Sequence, residues 1–182
     1  MNFVILSGSF HSHSKSLILI ENIKTLLQTH SFTIPRLDRL PFYSVDLEQN
    51  KPGELTGFLE QINQADGLIF ITPEYNHSIP AVLKNAIDWA SRPAFNSPLK
   101  DKPVAIITQA DSPVGGARAQ AHLKLILDAT LSRLPLSHEM MIGQIDSVLD
   151  VDGHITSDTV LSRLQRYLEQ FITFIQCEHS HG

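Results

Sequence analysis

Cysteine is nearly absent from this chain of 182 residues, where Cys177 stands alone. No disulfide can close within it, and no cysteine-based zinc site can form. Positive charge is scarce as well: 14 Lys and Arg face 19 Asp and Glu, for a net charge of −5. The cations are scattered, which excludes the basic footprint of a nucleic-acid binder. No apolar run is long enough to span a bilayer. The chain enters its first apolar run at once, without the basic segment and apolar core of a secretory leader, so a cytoplasmic protein is expected. Three glycine signatures are missing. There is no G-x-G-x-x-G for a dinucleotide and no G-K-[ST] after a glycine-rich turn. There is also no G-x-S-x-G elbow for a Ser-His-Asp hydrolase.

What is present is an alternation. A hydrophobic fraction of 42% suits one domain with a sizeable core. Short apolar runs at 3–6, 68–72 and 104–108 predict buried strands, because they are continuous rather than alternating. Residues 32–37 predict a further strand, with Pro35 marking an edge or an end. Residues 136–141 predict a fifth. Between and after them, apolar residues recur at helical spacing over 17–27, 54–64, 81–91 and 117–133, and from about 156 to 176. Residues 143–153 read as irregular. Five strand-helix steps predict a doubly wound α/β fold, with helices on both faces of a parallel sheet. Ligands of such sheets bind at the carboxyl ends of the strands, near the switch in strand order. Three chemically unusual loops lie at those ends, 8–16, 73–80 and 109–116, and the pattern predicts that they converge.

The first loop is small and hydroxylic: Gly8, Ser9, Ser12, Ser14, Ser16. A helix follows it, and the free amides of a helix N-terminus attract anions. The loop reads as a phosphate cradle. An ordinary strand-to-helix turn with Ser14 as N-cap accounts for the same residues. His11 and His13 form an i, i+2 pair, but the loop supplies no third ligand, so no metal is expected. In the second loop, Pro73 and Pro80 stiffen a stretch whose backbone groups suit the edge of a flat heterocycle, with Tyr75 beside it. A rigid connection with Tyr75 covering the core is the alternative. In the third, Gly115 and Gly116 permit close approach of a ligand, or simply turn the chain into a helix capped by Asp111 or Ser112. Arg118 suits a dinucleotide phosphate, a subunit contact or solvent.

Taken together, three segments resemble the NADPH-dependent FMN reductase family. They are Gly8-Ser9-Phe10-His11 through Ser16, Pro73-Glu74-Tyr75-Asn76-His77-Ser78-Ile79-Pro80 with Leu83-Lys84-Asn85-Ala86-Ile87-Asp88-Trp89 behind it, and Gly115-Gly116-Ala117-Arg118-Ala119-Gln120. The likeness runs from Met1 to about Ile175. It implies one flavodoxin-like, FMN-binding domain over 1–176, with five parallel strands in the order 2-1-3-4-5. Residues 177–182, with His179 and His181, are left as a polar tail. It implies that Ser9, His11, Ser14, Lys15 and Ser16 hold the FMN phosphate. Pro73, Glu74, Tyr75, Asn76 and Ser78 would hold the ring, with Gln109, Ala110 and Gly115 on its other side. His11 stands where the family usually has Arg, and Ser16 where it usually has Asn. The implied activity is hydride transfer from NADPH or NADH through bound FMN to a small acceptor: a quinone, an azo compound, a metal oxyanion or free flavin. No side chain is implied as an indispensable acid or base. A homodimer or homotetramer is implied by the same resemblance. An FMN-binding electron carrier or redox sensor without NAD(P)H turnover is the alternative.

Overall fold

In the computed structural model, which describes residues 1–180, five parallel strands form one sheet in the order β2-β1-β3-β4-β5. Along the chain these are β1 (Asn2–Ser7), α1 (Lys15–Leu26), β2 (Ser31–Thr33), α2 (Gly53–Gln64), β3 (Gly67–Pro73), α3 (Ala81–Ala90), β4 (Val104–Gln109), α4 (Ala117–Ala129), β5 (Met140–Ile142), α5 (Ile145–Val148) and α6 (Asp158–Ser180). The architecture is flavodoxin-like, as the resemblance implied.

The continuous apolar runs have a simple cause. Successive strand residues point to opposite faces, and here both faces are covered. Val4, Leu6, Leu68, Phe70, Val104 and Ile106 face one layer, with Leu55, Phe58 and Ile62 of α2, Trp89 of α3 and Leu123 of α4. Phe3, Ile5, Ile69, Ile71 and Ile107 face the other, with Leu19 and Ile23 of α1 and Leu164, Leu168 and Phe171 of α6. The long 41–52 connection is pinned from α3. Trp89 Nε1 and Asn85 Nδ2 both donate to Pro41 O, and Tyr43 N donates to Asn85 Oδ1.

The boundaries shift from expectation where local chemistry competes. β2 stops at Thr33 rather than reaching residue 37, two residues before Pro35, which has no N–H for the ladder. α4 stops at Ala129 rather than 133: the Thr130 hydroxyl donates to Leu127 O, and Leu131 takes a left-handed φ of 61°. β5 begins only at Met140, since Leu136 is wholly exposed. Beyond the short β5, the Ile106 amide of β4 donates to Tyr167 Oη of α6 at 2.7 Å. Burial pushes that phenol up to about 12. Part of the 143–153 stretch is helical, as α5. α6 continues past 176 to Ser180, and Glu178 pairs with Arg133. Of the expected tail, residues 181–182 lie outside the described residues. No helix among the described residues is long and apolar enough to cross a membrane.

Candidate functional site

The β1–α1 loop leaves the sheet pressed against β3. Gly8 N donates to Ile71 O, and a Cβ on Gly8 would stand 2.1 Å from Thr72 Oγ1. The loop then turns on itself, the Ser7 hydroxyl donating to Ser9 O at 2.6 Å and Ser14 N to His11 O at 3.0 Å. Ser14 occupies the N-cap position of α1, yet its hydroxyl caps nothing. That oxygen is buried, and it has no hydrogen-bond partner among the described residues. Ser16 is also fully buried, and Gln109 Nε2, at the end of β4, lies 3.5 Å from its Oγ. His11 is exposed. Lys15 Nζ reaches Asp146 Oδ1 of α5 at 2.5 Å.

The β3–α3 loop is organised by its own backbone. Tyr75 and Ser78 exchange both N–H···O bonds at 2.9 Å around Asn76 and His77, whose φ values are 48° and 65°. Two successive left-handed residues make the turn that suits a tight hairpin, and Asn tolerates that region well. Ser78 Oγ lies 3.0 Å from His122 Nδ1 of α4. Glu74 also turns toward α4. Its Oε2 accepts from the amides of Arg118 at 3.0 Å and Ala119 at 3.3 Å, and the Arg118 guanidinium lies 3.4 Å from Oε1. Burial would raise the Glu74 carboxyl, but the two amides and the guanidinium outweigh it and hold the group below the ordinary carboxylate range.

In the β4–α4 loop, Gly115 and Gly116 take φ values of 65° and 80°. Their smallness serves the chain itself. A Cβ on Gly115 would meet Gly143 N at 2.9 Å, and one on Gly116 would meet Thr108 Cβ at 3.1 Å.

The three loops meet in a groove of about 310 Å³ at the carboxyl end of the sheet, lined by Ser9, His11, His13, Ser14, Lys15, Pro73, Glu74, Tyr75, Gln109, Ala110 and Asp111. Of the residues singled out in the sequence, Ser16 lies buried, with its hydroxyl near Gln109. Asn76 and Ser78 shape the turn, and Gly115 packs against Gly143 and Ile142 instead of lining the groove. Asp111 was read only as a helix cap, yet it lines the groove. The roles of Arg118 and Asp146 were not foreseen. The groove offers hydroxyls and helix-terminal amides at one end and a stiff backbone with an aromatic ring, Tyr75, at the other. Such a donor set fits a phosphate joined to a flat ring. The buried, unpartnered Ser14 hydroxyl is the sharpest sign of that fit.

Comparison with known proteins agrees with this geometry. The family model described as NADPH-dependent FMN reductase matches residues 1–146. A 2-hydroxy-1,4-benzoquinone reductase of a Burkholderia species is 36% identical over 180 residues, covering 97% of both chains. A quinone reductase of Escherichia coli K12 is 41% identical over 149 residues, covering 79% of this chain and 77% of its own. Among solved structures, the flavoenzyme NAD(P)H:(acceptor) oxidoreductase FerB of Paracoccus denitrificans superposes with a TM-score of 0.88 at 30% identity, over 96% of this chain and 97% of its own. Sequence motifs, sheet order and the convergence of three loops thus point one way: the chain belongs to the NADPH-dependent FMN reductase family of oxidoreductases.

Proposed function

We propose that this protein binds FMN in the three-loop groove and uses NADPH or NADH to reduce a small acceptor, with quinones as the favoured class. The observation that carries the reading is the Ser14 hydroxyl, buried and without a partner among the described residues, at the N-terminus of α1 inside the groove. The names of the relatives support the acceptor class: two of them are quinone reductases.

In this reading Ser9, Ser14 and the first amides of α1 hold the phosphate, with Lys15 and His11 at the rim. Ser16 is positioned behind them, its hydroxyl within reach of the Gln109 amide. Pro73, Tyr75 and Asn76 hold the ring through backbone groups and packing. Glu74 contributes main-chain groups only, because its carboxylate is committed to α4. Gln109 and Ala110 border the ring's other side, and Gly115 keeps that loop close to β5. FMN, when bound, supplies the capacity to take and give hydride. The protein's part is placement, hydrogen bonding and access, and no side chain serves as an obligatory acid or base. The same reading places the protein in the cytoplasm as a homodimer or homotetramer.

The test is direct. Purified protein is expected to be yellow, to release FMN identifiable by mass, and to oxidise NADPH in the presence of a benzoquinone. FAD as the sole flavin, or no uptake of added FMN, rejects the cofactor. FMN bound tightly without NADPH or NADH oxidation selects the electron-carrier alternative.

A further inference from the structure

The cation at the mouth of the cradle is already engaged. Lys15 opens α1, lines the groove and places Nζ 2.5 Å from Asp146 Oδ1. Asp146 is held there by backbone. Ala110 N donates to Ile142 O at 3.1 Å, Gln144 N to Ser112 O at 3.1 Å and Ile145 N to Ala110 O at 3.2 Å. The Ile145 side chain is fully buried. These bonds stitch α5 to the β4–α4 loop, so the backbone that carries Asp146 is held beside the groove. The Lys15 hydrogen bond and charge keep the Asp146 carboxyl below its ordinary range.

A carboxylate against a lysine cancels much of that lysine's attraction for a nearby anion. Asp111 brings a second acidic side chain to the groove. The Lys15 and Asp146 side chains are 36% and 63% exposed. An ion pair so exposed holds itself together weakly, so a phosphate can compete for Lys15 on near-equal terms.

We infer that Asp146 is an affinity-setting residue of the phosphate end: it competes with the flavin phosphate for Lys15 and so holds FMN affinity below what the cradle would otherwise give. This rests on the FMN reading given above. It assigns Asp146 no part in hydride transfer.

The experiment compares FMN with riboflavin, which lacks the phosphate. Each is titrated into flavin-depleted, folded full-length protein at low ionic strength, with flavin fluorescence as the readout. The ratio of the two dissociation constants isolates what the phosphate contributes. Wild type is expected to prefer FMN. Asp146→Asn is expected to raise that preference about fivefold, by tightening FMN alone. Lys15→Met is expected to lower it. A preference that is unchanged or reduced in Asp146→Asn overturns the inference, as does equal tightening of both flavins. If wild type does not prefer FMN to riboflavin, the phosphate is not in the cradle, and the functional reading falls together with this inference. If wild type does prefer FMN and Asp146→Asn changes nothing, the inference about Asp146 falls alone.

Discussion

The β1–α1 and β3–α3 loops border one groove but are built by opposite means. The β3–α3 loop satisfies itself. Tyr75 and Ser78 exchange backbone hydrogen bonds, and the Glu74 carboxylate takes two amides of α4. The β1–α1 loop keeps a buried hydroxyl, Ser14 Oγ, without a partner among the described residues, and the α1 N-terminus without a side-chain cap. A buried polar group left unpaired costs free energy that a fitting ligand recovers. One loop is therefore completed by folding and the other by what binds. Substitutions in the first should register mainly as stability, and substitutions in the second mainly as flavin affinity.

The largest effect should fall on an apparent exception. Gly8 belongs to the cradle in sequence but to the sheet in packing, since a Cβ there would stand 2.8 Å from Thr72 Cβ and 3.2 Å from Thr72 Cα. Gly8→Ala should destabilise the fold by about 3 kcal/mol, measured by urea unfolding. A loss of flavin binding with unchanged stability would move Gly8 to the ligand's side of the comparison.

Ser14→Ala should separate the two loops most cleanly. It removes a hydrogen bond to a charged phosphate, contributing roughly 1.5–3 kcal/mol, so FMN should bind at least tenfold more weakly. The same change deletes an unsatisfied buried oxygen, so the stability of the flavin-free protein should hold or rise slightly. Equal loss of stability and affinity would show that the hydroxyl is structural.

Glu74→Gln tests the other side. Stability at neutral pH should fall by about 1 kcal/mol, because the charge at the α4 N-terminus is lost while one oxygen acceptor remains. FMN affinity should change little. A carboxyl held below its ordinary range stabilises the fold fully above that range, and that stabilisation is lost as the pH falls through its folded value. The gap between wild type and variant should therefore close below about pH 4. A gap that persists in acid would point to geometry rather than charge.

The smallest effect is expected at the turn. Asn76→Ala should cost about 0.5–1 kcal/mol, because alanine lacks the tolerance of Asn for a left-handed φ, whereas Asn76→Gly should be near neutral. Thermal unfolding of the two variants side by side decides it. Equal penalties would mean that the Asn76 side chain, and not its backbone, carries the role.

The parts of the site that were legible in the sequence are those carried by contiguous residues. The hydroxyl run before a helix, the proline-bounded loop and the Thr72–Pro73 strand end could each be located from local pattern alone. Gly115 could not be assigned from the sequence for a physical reason: a positive φ asks for glycine whether the space beside it is filled by ligand or by chain, and here a Cβ would meet the chain's own Gly143. Where the Glu74 carboxylate goes was not legible, since its partner Arg118 lies 44 residues further along.

By itself, the sequence determined the sheet and its two buried faces. Continuous β-branched and apolar runs can be accommodated only where helices cover both sides, and helical spacing supplied those helices between the strands. It also placed the small and hydroxylic residues next to a helix start. Only the tertiary structure decided which charges meet. It turned Glu74 to the α4 amides, set Asp146 against Lys15 and left the Ser14 hydroxyl buried without a partner among the described residues. Hydrophobic patterning repeats along the chain and can be read there. An ion pair depends on two groups coming within a few ångströms, and that distance is set by packing between elements far apart in sequence.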